Sequence, residues 1–470
     1  MKFSQILLFS IGPIFAAVIG LILVPLLTWI VPQDDIGRFA LYNIIVSFCL
    51  IASSLGLDQS FVRDFHESNN KKSLLALCFF PGFLMLLLIL GGLLYLEKYV
   101  GSAVLTFNST FRFEIIIFGI AIAFIYRYTT LLLRMENKGL AYSISQFFPR
   151  LILLLSLLIA LFLQHEVDIY FLIISNVLSL SISTFIFILL TGHYWRKLEM
   201  AEWSVKYLGA LLSYGAPLVF SGLAYWGLTA QDKLFLTKLS SLEELGLYSV
   251  AMSFAGIAMI LKTLFQTLWA PAVFSWIHDD ENLKKIDEIS LIMVFLVTIC
   301  FCVVGLGSDL IPLLVPNSYA SVSSLVIACV GFPLFFTLSE ASGIGINIVK
   351  KSSLNLYLSI FTLLINGLLN YSLIPSFGAK GAAAATIISF WIYFMLRTLA
   401  SWFYWRKFPL FKICFFPGLC LVFSICHLFS SYSEKSYVMI LWLALFFGAW
   451  FSFANLRAKL LEFILEKSNR

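Results

Sequence analysis

Long apolar stretches alternate with short polar breaks along the whole chain. A helix needs about 20 apolar residues to cross the hydrocarbon core of a bilayer. We therefore predict an all-α integral membrane protein with about 14 transmembrane helices. The predicted spans are 6–31, 39–60, 74–96, 113–133, 143–163, 169–191, 211–236, 246–270, 289–308, 321–347, 354–375, 381–402, 412–428 and 437–455.

The composition excludes several classes of protein. Of the 470 residues, 61% are hydrophobic and 12% are charged, whereas soluble domains are about 45–50% apolar and about 25% charged. A soluble enzyme, a DNA-binding protein and a disordered scaffold are excluded on this ground. The polar breaks are also too short for a soluble nucleotide-hydrolysing or glycosyltransferase domain. The formal net charge of +6 is scattered over short loops and predicts no nucleic-acid partner.

The lysines and arginines predict the orientation in the membrane. With the N-terminus in the cytoplasm, 20 of the 31 basic residues fall in cytoplasmic segments, 7 fall on the opposite side and 4 lie within spans. Membrane proteins keep an excess of Lys and Arg in their cytoplasmic loops. We therefore predict a multi-pass protein surrounded by membrane lipids, with both termini in the cytoplasm.

Two halves of the chain resemble each other. The matching segments are LLFSIGPIF and LLSYGAPLVF at 7–15 and 211–220, and DIGRFA and ELGLYS at 35–40 and 244–249. The second match aligns Gly37 with Gly246. Because six predicted helices separate the copies, the repeat is parallel, as in one class of transporters. It predicts an N-terminal lobe, a C-terminal lobe and a pair of extra helices with a tail, at 1–200, 201–405 and 406–470.

Charged side chains within the predicted spans are the first candidates for a functional site. A charge near the middle of a bilayer costs at least ~2.5 kcal/mol and normally faces water or a partner. Four cations against three acids make a slightly positive, hydrated cavity, which suits a phosphate or diphosphate. The candidate substrate ligands are Arg127, Lys262, Arg150 and Arg397, and the candidate ion-coupling acids are Asp58, Asp232 and Glu340.

Three of these charges have a simpler alternative explanation. Arg150 and Arg397 lie near the predicted cytoplasmic surface, so each side chain could extend to the headgroups instead of lining a cavity. Asp232 could pair locally with the adjacent Lys233. Whether Asp58, Asp232 or Glu340 carries a coupling proton or ion, or whether a substrate gradient drives transport, stays open.

Neutral polar side chains recur at helical spacing on two spans. They are Asn43, Ser47 and Ser54, in line with Asp58, on the second span, and Asn355, Ser359, Thr362, Asn366 and Asn370 on the eleventh. Such stripes either join helices by hydrogen bonds or face a wet cavity. We include Asn366 and Asn370 among the candidate ligands for sugar hydroxyls.

No motif for catalysis or cofactor binding is present. The segment GAKGAAAAT at 378–386 lacks the order of a phosphate-binding loop, and no Cys or His spacing indicates a metal. Asp34 and Asp35 lie in the first outer loop, where a membrane polymerase or glycosyltransferase places acids. Glu243 and Glu244 occupy the matching place in the repeat, which favours a structural role. We therefore predict a protein that is not an enzyme and needs no cofactor.

Several segments resemble a known family of exporters. They are NYSLIPSFGAKGAAAATIIS at 370–389, DKLFLTKLSSLEELGLYSVA at 232–251, SLGLDQSFVR at 54–63 and the Gly-Pro of the first span. In the first of these, Pro375 is expected to end a helix, and Gly378 with Gly381 to allow a tight outer turn. The chain resembles polysaccharide flippases of the multidrug/oligosaccharidyl-lipid/polysaccharide exporter superfamily, and within it the Wzx-type O-antigen flippases.

The resemblance implies a fold and a function. The fold has two six-helix lobes around a central cavity and works by alternating access. The function is to move an undecaprenyl-diphosphate-linked oligosaccharide, such as an O-antigen unit for lipopolysaccharide, from the cytoplasmic to the periplasmic leaflet of the bacterial inner membrane. A polysaccharide polymerase and chain-length machinery are the implied partners. A cation-coupled multidrug exporter of the same superfamily is the leading alternative.

Overall fold

Helices make up every element of the described chain. The computed structural model describes residues 3–96, 113–196, 204–276, 280–349, 351–431 and 434–454. Within these ranges the elements are α-helices with two short 3-10 helices. Many large apolar side chains on these helices, such as Leu88 and Phe162, are exposed, as expected for surfaces that face lipid. The predicted all-α membrane fold is confirmed.

The N-terminal part of the chain contains nine helices within the described residues, and the longest is the last. They are α1 (Phe3–Ile30), α2 (Gln33–Ser54), α3 (Leu57–Asp64), α4 (Lys71–Tyr95), α5 (Glu114–Met135), α6 (Gly139–Phe162), α7 (Ile169–Leu190), α8 (Gly192–Trp195) and α9 (Val205–Leu239). The main packing partners are α1 with α6 and α5 with α7.

The C-terminal part continues with helices of very different lengths. They are α10 (Leu242–Phe254), α11 (Gly256–Trp276), α12 (Asp280–Gly307), α13 (Val322–Cys329), α14 (Gly331–Gly343), α15 (Gly345–Ile348), α16 (Ser352–Tyr404), α17 (Leu410–Phe429) and α18 (Lys435–Ser452), and the 3-10 turns are Ser308–Leu313 and Asn317–Tyr319. Helices α14 and α16 pack together, and α17 and α18 both pack on α12.

Twelve helices of the described chain are long and apolar enough to cross a membrane. A thirteenth span is possible where α10 and α11 meet at a bend of 48°. One of the twelve, within α16, is long enough to hold two of the predicted spans, 354–375 and 381–402. The count therefore agrees with the prediction of about 14.

The second predicted span, 39–60, is not one continuous helix. It is interrupted at Leu55 and Gly56, which have φ values of 50° and 70° and separate α2 from α3. Left-handed backbone ends a right-handed helix. The polar stripe predicted along one face of this span therefore breaks before Asp58, which lies in the first turn of α3.

Helix α16 changes direction at a glycine. Gly378 has φ 55° and ψ −129°, a backbone conformation that glycine adopts easily, and it separates two helical arms. The expectation that Pro375 ends a helix was wrong, because the helical arm continues past it to the glycine. The expected tight turn at Gly378 is present.

The chain divides into two compact units by internal contacts. The first comprises Met1–Thr237 with Ser241–Gly246, and the second comprises Lys238–Ser240 and the chain from Leu247 onward. The predicted lobes at 1–200 and 201–405, and the separate segment 406–470, stay a prediction.

The two glycines matched by the sequence repeat lie together in the first unit. A Cβ on Gly37 would stand 2.3 Å from the carbonyl oxygen of Leu242, and a Cβ on Gly246 would stand 2.1 Å from that of Gln33. The two backbones approach closely because neither residue has a side chain. The glycine that the repeat places in both segments thus allows each segment to pack closely against the backbone of the other.

Candidate functional site

An ion pair joins two of the predicted site residues in the first unit. Nη2 of Arg127, on α5, lies 2.5 Å from Oδ2 of Asp58, on α3, and Nε of Arg127 donates to the same oxygen at 3.2 Å. The side-chain amide of Gln59 donates to this oxygen as well, at 3.0 Å. The sequence predicted both charged residues but assigned them separate roles and did not predict that they pair.

The local backbone explains why Asp58 occupies this position. The break at Leu55 and Gly56 starts a new helix just before Asp58, so the carboxylate lies in the first turn of α3. Helix N-termini favour negative charge because the first backbone N–H groups are unpaired there. The turn and Arg127 therefore both stabilise the carboxylate.

A cavity of about 280 Å³ lies against this ion pair. It is just below the roughly 300–1,000 Å³ of typical ligand pockets, so it has room for a small polar group but not for a complete oligosaccharide. One third of the Arg127 side chain is exposed, but only 2% of that of Asp58. The cavity is lined by Ile51, Ser54, Gly56, Asp58, Gln59, Arg127, Leu218, Val219 and Gly222.

Arg150 lies elsewhere in the first unit. Its Nη1 donates to the carbonyl oxygen of Ala16 at 2.8 Å, which ties α6 to α1. Arg150 does not line the cavity beside Asp58. Asp232, on α9, is buried and does not line it either. The structure therefore brings together only Asp58 and Arg127 of the predicted residues in this unit.

A second ion pair is buried in the second unit. Nη1 of Arg397, on α16, contacts Oε1 of Glu340, on α14, and also lies 3.2 Å from the hydroxyl oxygen of Ser339. The Arg397 guanidinium lies 5.5 Å from the ring centre of Tyr393. Only 3% of the Arg397 side chain is exposed, so it is enclosed with its partner and does not extend to the surface.

Lys262 is held against aromatic rings on the helix that carries Glu340. Its Nζ lies 4.2 Å from the ring centre of Phe336 and 4.9 Å from that of Phe332. Phe332, Phe336 and Glu340 are spaced four residues apart on α14 and therefore share a face. Lys262 is buried, so its charge is stabilised by this face and not by lipid headgroups.

Asn366 and Asn370 are fully buried in α16. Nδ2 of Asn370 donates to Oδ1 of Asn366 at 3.1 Å. This hydrogen bond lies within α16 and does not itself join two helices. Their role as ligands for sugar hydroxyls stays a prediction.

The two acids considered as catalytic residues have structural partners. Nη1 of Arg38 lies 2.7 Å from Oδ2 of Asp34 and 2.5 Å from Oδ1 of Asp35. The backbone N–H of Ile169, the first residue of α7, donates to Oδ2 of Asp35 at 3.1 Å. Asp35 therefore satisfies a helix N-terminus, which is the structural role favoured by the repeat.

Sequence reasoning missed Gln59 and the α9 wall of the cavity. Gln59 directly follows Asp58, so the motif SLGLDQ could have indicated it. Leu218, Val219 and Gly222 carry no polar signal, and only the structure shows them beside the ion pair. Among the described residues, no three His, Cys, Asp or Glu side chains are grouped as metal ligands would be.

A family model described as polysaccharide biosynthesis protein matches residues 4–278, more than half of the chain. No curated protein matches the chain in sequence at a significant level.

Two solved structures resemble the fold of most of the chain. One is described as Lipid II flippase MurJ in an inward closed conformation, with a TM-score of 0.69, 15% identity, and coverage of 96% of this chain and 99% of that one. The other is an inward-facing multidrug resistance MATE family transporter of the MOP superfamily, with a TM-score of 0.57, 14% identity, and coverage of 84% and 93%. At these identities the matches show a shared fold.

Proposed function

Because the chain belongs to the polysaccharide biosynthesis protein family, within the exporter superfamily predicted from its sequence, we propose that it is a flippase for lipid-linked oligosaccharides. The proposed substrate is an undecaprenyl-diphosphate-linked unit, such as an O-antigen repeat. It moves from the cytoplasmic to the periplasmic leaflet of the bacterial inner membrane by alternating access. The protein is not an enzyme in this proposal, and both of its termini are cytoplasmic.

The observation that carries this proposal is the partly exposed Arg127 at a headgroup-sized cavity. A guanidinium presents N–H donors in a planar fork that matches phosphate oxygens. The cavity volume suits the diphosphate portion of a lipid-linked sugar, while the rest of the substrate must lie outside it. Leu218 and Val219 supply an apolar wall beside the arginine.

Lys262 is the second proposed phosphate ligand. Its cation lies on an aromatic face, where it is desolvated and interacts strongly with an anion. Arg150 and Arg397 are weaker candidates for binding phosphate, because their guanidinium groups already contact Ala16 and Glu340. Asp232 and Glu340 are proposed coupling groups, along with Asp58.

The family description favours lipid-linked sugars over drugs. The two solved structures show that the fold serves both a lipid flippase and a multidrug transporter, so the fold alone does not choose. A site for a cationic drug needs an accessible acid, whereas here the arginine is more exposed than its aspartate partner. A polymerase and chain-length machinery are the proposed partners that take up the delivered units.

Removing both proposed phosphate ligands tests the function. In cells lacking the native gene, we expect Arg127→Ala/Lys262→Ala to reduce surface polysaccharide at least tenfold. A charge-assisted hydrogen bond contributes about 1.5–3 kcal/mol, and about 1.4 kcal/mol is tenfold. Surface polysaccharide is measured by immunoblot, and the lipid-linked unit is measured in membranes, where it should accumulate.

The matched control removes two exposed cations from the same parts of the chain. Arg134→Ala/Lys284→Ala should leave surface polysaccharide within about twofold of the wild-type amount, because screened surface charges contribute little. Wild-type display in a well-expressed Arg127→Ala/Lys262→Ala protein would contradict the site. Unchanged display together with increased drug susceptibility on deletion of the gene would instead support the multidrug exporter.

A further inference from the structure

We propose that Asp58 is an internal counter-anion that holds Arg127 in the empty site and is displaced by the substrate phosphate. This inference rests on the proposed function, because it assigns a role to the partner of the proposed phosphate ligand. It makes Asp58 a residue that sets the affinity for the anion. The pair then exchanges one anion for another each time the headgroup binds or leaves.

The hydrogen bonds place the carboxylate where a competing anion would bind. Nη2 and Nε of Arg127 and the amide of Gln59 all donate to one oxygen of Asp58. A carboxylate that accepts from two nitrogens of a guanidinium uses the same fork that phosphate oxygens use. Asp58 therefore occupies the binding edge of Arg127 as a phosphate would.

Exposure shows which partner an incoming anion meets first. The Arg127 side chain is one third exposed, and the Asp58 side chain is almost fully covered. Both line the cavity, so a headgroup there contacts the guanidinium while the carboxylate lies behind it. Nη1 of Arg127 is not used by the pair, and it allows a phosphate oxygen to bind before Asp58 is released.

The structure also stabilises Asp58 after it is displaced. Gln59 and the first turn of α3 belong to the same segment as Asp58, so both remain beside it when Arg127 turns to the phosphate. The helix N-terminus favours the remaining negative charge. This arrangement lowers the cost of separating the pair, which is otherwise high for a covered charge.

The buried ion pair between Arg397 and Glu340 in the second unit provides a contrast. Arg397 is enclosed with Glu340, and an anion has no exposed guanidinium to approach there. The geometry thus distinguishes a pair that a ligand can open from one that supports packing. Only the Asp58–Arg127 pair borders the cavity described in the first unit.

Binding of a soluble diphosphate tests the exchange. The full chain is purified in a neutral detergent, and the affinity for geranyl diphosphate is measured by calorimetry, with geraniol as the uncharged reference. We expect Asp58→Asn to bind geranyl diphosphate about tenfold more tightly than wild type. If the Asp58 carboxylate occupies the Arg127 guanidinium in about 90% of molecules, it weakens the apparent affinity for the diphosphate about tenfold.

Three further variants make the result specific. Asp58→Glu keeps the negative charge and should bind within about twofold of wild type. Asp64→Asn, on the same helix, should also leave the affinity unchanged, because Asp64 is paired with Arg63 and does not line the cavity. Arg127→Ala should lose at least tenfold, both alone and combined with Asp58→Asn.

Folding of each variant is checked by its elution profile and thermal unfolding midpoint. If Asp58→Asn does not fold, Asp58→Ser removes the same charge and replaces it in the comparison. A folded, charge-free variant whose affinity is unchanged or weaker would overturn the exchange while leaving the flippase proposal intact. Equal binding by Arg127→Ala and wild type would instead overturn the phosphate site itself.

Discussion

Replacing Glu340 with alanine is expected to lower the free energy of unfolding by about 3–5 kcal/mol, since it leaves a buried guanidinium without its counter-ion. Arg397 is enclosed, and its other polar neighbours, Ser339 and Tyr393, carry no charge to balance it. The thermal unfolding midpoint of the purified chain in a neutral detergent measures the loss. The amount of folded protein in the membrane should fall as well.

A double replacement separates the ion pair from the packing around it. Glu340→Leu/Arg397→Met removes both charges and should recover most of the lost stability, because a well-packed apolar pair often replaces a buried ion pair at no net cost. The pair between Lys435 and Asp309, whose side chains are about 30% exposed, provides the control. Asp309→Asn should change the unfolding free energy by about 1 kcal/mol or less. An unfolding midpoint for Glu340→Ala equal to that of wild type would show that the pair is not needed for stability.

Gly56→Ala is expected to destabilise the chain by roughly 2–5 kcal/mol. The left-handed conformation at φ 70° costs a non-glycine residue about 1–2 kcal/mol. The new Cβ would stand 2.1 Å from the carbonyl oxygen of Gly215, so the backbone must shift, and overpacking adds about 1–3 kcal/mol. Thermal unfolding and the yield of folded protein measure the effect.

The effect at Gly56 should also reach the candidate site. Gly56 lines the cavity and directly precedes the helix that holds Asp58. Gly91→Ala is the matched control, because a Cβ at that position of α4 meets no atom within 4 Å. Alanine there should be neutral or stabilising by up to about 1 kcal/mol. If the two glycine variants unfold at the same temperature, the close contact between Gly56 and Gly215 does not limit stability.

The break at Leu55 and Gly56 is not predicted by the pattern of apolar and polar residues. The segment is apolar with polar residues at helical spacing, so the sequence predicts a single helix through 39–60. In the structure this helix is interrupted, and the backbone of Gly215, about 160 residues later in the chain, lies close to Gly56 at the interruption. Local periodicity contains no information about such a distant backbone contact. The break shapes the candidate site, because it places Asp58 in the first turn of a helix.

The ion-pair partners of the charged residues were not predicted from the sequence either. Arg397 lies near the predicted cytoplasmic surface, which made an extended side chain reasonable, but Glu340 on a neighbouring helix encloses it. Arg127 and Asp58 were both identified because charges are rare in apolar spans. Their pairing depends on how α3 and α5 pack, which spacing along one helix does not report.

The amino-acid sequence by itself determined the class of this protein, the approximate number of its spans and which charged residues lie within them, because the bilayer imposes a fixed length and a high cost on every buried charge. The tertiary structure alone decided which acid neutralises which base, where a helix is interrupted and which of the paired arginines is partly exposed. Those properties arise from contacts between residues far apart in the chain. The hydropathy pattern predicts whether a residue lies in the membrane, but it does not identify the distant residues that contact it.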